Sequence, residues 1–339
     1  MLRRTCVLAT VAFALSLFSA TNAIAVVLPQ RTFVASYGND ANPCSLVLPC
    51  RGFDTAITRV ASAGEVVALD SAGYGAMTIS KPVTVVGPPG VHAAVTVSGV
   101  IAVYISAPAS SPVTLRGLVI SNLSSGSTGV ANISGANLRI ENCSIDGFDY
   151  NVGHYGPGTL EIADSRLTRG ALEIIGTGGS VEFAVERTYI TQGNSLIQAA
   201  VFIIGNSHGV IKESTIEGIG GTTYGIRTNT NSVPPGPVTV LLQNSVIIGH
   251  SFGIYSDATA GSYSAFAVSD SQLLNNAFAV TTVNGGTVAL ASCRIAHNAY
   301  AVTIDTAGGP VYTDGRNWFG YNGADLNGGT TLSGPGGVR

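Results

Sequence analysis

A short phrase of small residue, any residue and aliphatic anchor recurs along the chain as Leu118-Val-Ile120, Cys143-Ser-Ile145, Ser165-Arg-Leu167, Thr188-Tyr-Ile190, Ser214-Thr-Ile216, Ser245-Val-Ile247, Ser271-Gln-Leu273 and Cys293-Arg-Ile295. Only Leu118 departs from the small first position. The anchors are separated by 25, 22, 23, 26, 31, 26 and 22 residues, a period with irregular insertions that marks a solenoid. Seven and five residues before the anchor lie apolar pairs, as in Leu138/Ile140, Leu160/Ile162, Phe183/Val185, Val240/Leu242, Phe266/Val268 and Val288/Leu290. Five and seven residues after it lie Tyr150/Val152, Leu172/Ile174, Phe252/Ile254, Phe278/Val280 and Tyr300/Val302. Alternation with period two means strands with one buried face. Each repeat therefore supplies a leading, an anchor and a trailing strand, and the expected fold is all-β: a right-handed parallel β-helix of about ten or more three-strand coils over residues 64–326.

The corners carry their own chemistry. Glycine or asparagine follows the anchor at Gly147, Gly170, Gly193, Gly218, Gly249, Asn275, Asn276 and Asn298, where a sharp bend calls for left-handed backbone angles. Three residues before the anchor stand Asn142, Asp164, Arg187, Glu213, Asn244 and Asp270 in one column. Equivalent positions on adjacent coils are ~4.8 Å apart, so stacked charges must alternate in sign. They do: Asp164, Arg187 and Glu213 follow one another, and Arg116/Glu141, Glu186/Lys212 and Arg139/Glu161 pair. Most charged residues thereby acquire a structural role.

The ends differ from the repeat. Arg3 and Arg4 precede an apolar run from Val7 to Phe18 and then Ala23-Ile24-Ala25, the pattern of a cleavable export signal over 1–25. That run is shorter than the ~20 residues of a membrane span, and no later segment is long and apolar enough for one. A secreted or periplasmic protein is expected. Residues 26–63 read as an N-terminal cap: Phe53-Asp-Thr-Ala56-Ile57-Thr-Arg-Val60 has helical spacing, and a helix there would cover the first coil. Cys44 and Cys50 sit in a tight loop that an oxidising compartment would close as a disulfide. Cys143 and Cys293 share one inward column six coils apart, roughly 29 Å, and are expected to be buried free thiols. The Gly-rich tail 327–339 is expected to be loose.

Composition excludes some partners. The 16 Lys and Arg fall to 14 when Arg3 and Arg4 leave with the leader, against 19 acidic residues, and no basic cluster exists, so nucleic acid is not an expected partner. The best polar cluster is Asp146, Asp149 and His154 with Arg169 and Glu173 one coil on, which could set two carboxylates and a cation along a groove; solvated loop residues explain it as well. His250 and His297 lie two coils apart, about 10 Å, too far for one metal ion, so no metal site is expected. Tyr150, Phe252, Phe278 and Tyr300 share the parity of the buried aliphatics, which predicts an internal aromatic stack. Trp318, Phe319 and Tyr321 in the last coil have mixed parity, and serve either as a carbohydrate contact or as a cap. Thr228-Asn-Thr-Asn-Ser-Val-Pro-Pro-Gly-Pro237 is an insertion that its prolines bar from continuing a strand.

Phe33-Val-Ala-Ser-Tyr-Gly-Asn-Asp40, Asn42-Pro-Cys44, Pro49-Cys50, Phe53, Gly64-Glu-Val-Val and Ile79-Ser-Lys-Pro-Val-Thr-Val-Val-Gly87 together resemble the amino-terminal signature of the pectin-lyase-like right-handed β-helix superfamily, and within it the bacterial secreted β-helix repeat proteins. The resemblance implies a polysaccharide partner. It does not bring a reaction with it: the Asn-Thr-Asp, Asp-Asp, Gly-His-Gly and Arg-x-Lys phrases of polygalacturonases are absent, and the aspartates are scattered where a pectate lyase would gather them around calcium. The expectation is a polysaccharide-binding β-helix with no cofactor, Ca2+ left open, and no recognisable catalytic centre. The alternatives are a divergent polysaccharide lyase or glycoside hydrolase, and a structural or adhesive solenoid; oligomeric state is open at this point.

Overall fold

A computed structural model describes residues 27–124, 126–192, 198–220, 223–229, 236–259, 262–305, 307–327 and 332–334. The proposed leader, Gly193, residues 230–235 of the 228–237 insertion and most of the tail lie outside the described residues.

Anchor strands stack into an 11-stranded sheet, and leading and trailing strands join in a second, 21-stranded one, with every pairing parallel. The repeat phrase sets the register. Ile120, Ile145, Leu167, Ile190, Ile216, Ile247, Leu273 and Ile295 pair in that order and are fully buried, and Phe319 continues the column. The leading pairs stack in the same way, Leu138 on Leu160 on Phe183 and Ile140 on Ile162 on Val185. One continuous apolar core results, because each coil buries its inner face only against its neighbours. In two coils the trailing strand runs into the next leading strand without a break, over Ala171–Glu186 and Ala199–Lys212. The one short helix among the described residues, Phe53–Arg59, buries Phe53, Ala56 and Ile57 ahead of the first coils.

Neighbouring coils are stitched by side chains. Lys212 binds Glu186 at 2.8 Å, Arg116 binds Glu141 at 2.7 Å and Arg187 binds Asp164 at 2.7 Å, while Arg139 also pairs with Glu161. A hydroxyl ladder runs up the first position of the anchor phrase: Ser214 Oγ accepts the Thr188 N–H, Ser245 Oγ that of Ser214, and Ser271 Oγ that of Ser245, each at 3.1 Å. Past the anchor an asparagine ladder takes over, with Asn298 Oδ1 accepting the Asn276 N–H at 2.8 Å and Asn322 Oδ1 accepting the Asn298 N–H at 3.0 Å. These groups satisfy backbone donors that a bend would otherwise leave buried and unpaired.

The corner before the anchor is left-handed throughout, at Asn142, Asp164, Arg187, Glu213, Asn244 and Asp270. After the anchor, Gly147, Gly249 and Asn275 are left-handed as expected, but at two coils the residue one earlier, Arg169 or His297, takes that conformation. Gly170 is needed for a different reason, since a Cβ there would collide with the Phe148 carbonyl, and Asn298 serves the ladder. Cys44 and Cys50 are disulfide-bonded, and Cys143 and Cys293 are buried free thiols. No helix among the described residues is long and apolar enough to cross a membrane.

Candidate functional site

The polar cluster expected around Asp146 is divided three ways. Asp146 lies at the end of an anchor strand, where Thr168 Oγ1 donates to it at 2.7 Å and Arg169 Nε at 2.8 Å, with a second Arg169 bond to its other oxygen. The guanidinium holds the Asp146 carboxyl below its usual range, so the pair is a closed cross-coil clamp. His154 points inward. It is completely buried beneath Asn132, whose Nδ2 approaches His154 Nδ1 at 3.1 Å, and its Nε2 has no partner among the described residues. Burial lowers its pKa to about 4, so it is a neutral core residue and cannot meet a ligand.

Glu173 points outward on the trailing face, opposite Gly153 on one side and Phe202 on the other, and is 7% exposed. The Tyr155 hydroxyl donates to Glu173 Oε2 at 2.7 Å, its ring lying across Gly153, where a Cβ would fall 2.5 Å from Oη. Burial pushes the Glu173 carboxyl up, partly offset by the Tyr155 bond. Burial also raises the Tyr150 phenol, with the charges of Glu173 and Asp149 adding to it. Of the five expected residues, Asp149 and Glu173 are thus the two whose charges act on one phenol.

Beyond Glu173 the same outward column continues as Phe202, Arg227 and Tyr255. Beside it runs an aromatic ladder, Tyr224 on Phe252 on Phe278 on Tyr300, with centroids 5.0, 5.0 and 5.2 Å apart and planes within 14° of parallel. Tyr255 stands edge-on to Tyr224 and Phe252 at 5.1 and 5.4 Å. The Arg227 guanidinium lies 5.0 Å from the Tyr224 ring and 5.5 Å from that of Phe202; no carboxylate pairs with it among the described residues, and its Nε is buried without a partner.

The ladder is real but not internal. Its rings are half-buried, and the column holds Tyr224 and lacks Tyr150, which faces Ala171. The reason lies between the ring and the next inward aliphatic: Tyr150 and Val152 are set against Ala171 and Leu172 by a register shift of one residue, whereas in the later coils the register is kept but Gly253, Ala279 and Ala301 are left out of the pairing on both strands. Two residues that look like the same face of a strand are thereby turned apart, with the small residue between them buried and the ring left at the surface. Sequence reasoning missed Tyr155, Phe202, Tyr224, Arg227 and Tyr255. Phe202, Arg227 and Tyr255 could have been found by aligning on the inward residues Leu172, Val201, Ile226 and Ile254, each of which one member of the outward column follows directly.

Phe319 is 8% exposed and closes the anchor column, whereas Trp318 and Tyr321 are 45% and 78% exposed. No group of three or more His, Cys, Asp or Glu side chains among the described residues is placed to hold a metal ion.

No family model matches this sequence, and no curated protein does. Among solved structures, the crystal structure of pectate lyase Pel9A matches 88% of this chain and 77% of its own, at 12% identity and a TM-score of 0.55. A rhamnogalacturonan lyase matches over 83% of this chain and 75% of its own, at 11% identity and a TM-score of 0.43. At such identity the first likeness speaks for architecture alone. The chain has a pectin-lyase-like parallel β-helix fold.

Proposed function

We propose that this is an exported β-helix protein that binds polysaccharide along its trailing face, from Tyr155 and Glu173 to Tyr300. The observation that carries the reading is the half-exposed ladder Tyr224–Phe252–Phe278–Tyr300 with Arg227 beside it and uncompensated among the described residues. Stacked rings present apolar faces to the C–H faces of sugars, and a part-buried guanidinium without a counter-ion among the described residues offers hydrogen bonds to ligand oxygens. Regular spacing at one coil per step suits a repeating polymer.

A second reading, cleavage at the Glu173 end, has its own support. A carboxyl raised by burial and hydrogen-bonded by a phenol is suited to proton transfer, and the charge of Asp149 reaches the nearby Tyr150 phenol together with that of Glu173. One experiment separates the readings: incubate the purified chain with acidic and neutral polysaccharides, following both retention and release of new chain ends. Retention without new ends, weakened roughly tenfold by Tyr255→Ala or Phe278→Ala, is expected, equivalent to about 1.4 kcal/mol of lost ring contact. New ends that disappear in Glu173→Gln would establish cleavage instead; as a proton donor Glu173 would lose activity as pH rises through its raised pKa. Neither retention nor cleavage would leave the solenoid with a structural role.

A further inference from the structure

We propose that the C-terminal end of the anchor face is a second, separate binding site, which takes the end of an acidic oligosaccharide through Trp318, Tyr321, Arg294 and Arg316. Trp318 pairs in register with Arg294 of the preceding coil, whose guanidinium lies 5.0 Å from its ring centroid. Tyr321 stacks on His297 at 5.2 Å with planes 7° apart, and meets Trp318 edge-on at 6.0 Å. Each ring is thus covered by the preceding coil on one side, and no anchor strand follows among the described residues. The exposure of both rings follows from that position.

Neither ring is explained by the backbone. Tyr321 occupies the left-handed corner that Gly249 and Asn275 fill in some coils and Arg169 and His297 in others, at a φ of 57° that disfavours a bulky side chain. Trp318 occupies an outward column that earlier coils fill with Thr215, Val246 and Gln272 and, once, with a ring, Tyr189, which the next coil covers as none of the described residues covers Trp318. Ser292, Arg294, Arg316 and Trp318 border a shallow hollow of about 350 Å³. Two guanidiniums bordering it, of which Arg316 is held by Asp314 at 2.8 Å and Arg294 by no carboxylate among the described residues, select a negatively charged occupant. A sugar ring would extend the column by one stacking step, with its acidic group over the arginines. The trailing-face ladder belongs to the other sheet, so the two sites are independent.

Trp318 is the chain's one tryptophan, which makes its fluorescence a reporter of this site alone. The full chain is titrated with a uronate tetrasaccharide and with its neutral methyl ester. We expect a saturable change in Trp318 emission with the acid form, at least tenfold weaker binding of the ester, and about tenfold weakening of the acid form by Arg294→Ala, the size of one lost charge-assisted contact. Tyr255→Ala should leave the titration unchanged. No emission change, equal response to acid and ester, or a titration insensitive to Arg294→Ala would overturn the proposal. Loss of retention in Tyr255→Ala with the emission response intact supports both sites; an intact response with retention that ignores Tyr255→Ala would remove the trailing-face reading and keep this one.

Discussion

A neutral histidine sealed in a core is a pH-dependent weakness. His154 and His250 are both buried, both have an Nε2 without a partner among the described residues, and in both burial lowers the pKa to about 4. The unfolded chain takes up these protons near pH 6.5, the folded one only near 4. Stability is therefore unaffected above about pH 6.5 and falls as pH drops from there towards 4, by about 3 kcal/mol per histidine at the limit. The carboxylates that ion pairs hold low, such as Asp146 and Glu141, add their loss only at lower pH, because their unfolded pKa values are themselves near 4. Replacing His154 by leucine, which fits a column that continues with Ile174, should remove roughly half of the stability lost between pH 7 and 4.5. Urea midpoints of the two proteins at those pH values check it; identical losses would mean that His154 does not stay neutral in the fold. Its inward orientation was legible in the sequence, since His154 follows Val152 by two on one strand. The chemical appeal of a polar cluster obscured it.

At the scale of elements, the leading and anchor strands could be read almost residue by residue, because their aliphatics alternate without interruption and their turns keep one length. The trailing strand could not. One residue between the ring and the next inward aliphatic drops out of the pairing without altering the apolar spacing, so Phe252 and Ile254 look like one face and are two, and the candidate binding face went unrecognised as a face. The asparagine ladder was half legible: Asn276 and Asn298 were visible as corner residues, but not that they bind across coils. Asn298 accepts from Asn276 N at 2.8 Å and adds a bond to Leu273 O at 3.0 Å, so Asn298→Ala leaves the buried Asn276 N–H without this acceptor. At about 1–3 kcal/mol for such a group, a loss of roughly 2 kcal/mol is expected. It should be measured as a shift in denaturant midpoint at constant m-value.

The whole molecule is a stack in which each coil touches only the next, and this makes a large deletion milder than a small one. Ser245 precedes Val246, which pairs with Gln272 in the following coil, so removing residues 246–271 joins two equivalent points and leaves every remaining column in register. Tyr224 would then stand next to Phe278, shortening the ladder by one ring without breaking it. Such a chain should fold cooperatively with parallel β-structure, lose stability in proportion to one coil's burial, and bind polysaccharide more weakly along the trailing face. Trp318, several coils away, should report an unchanged acidic-sugar titration. Removing only 246–258 takes out less chain but sets trailing residues against leading ones, and should not yield a folded protein, because a register error turns inward side chains out along the whole seam. Circular dichroism and thermal unfolding of the two deletions decide the matter: a folded half-coil deletion, or an unfolded full-coil one, would mean that stability does not reside in the columns.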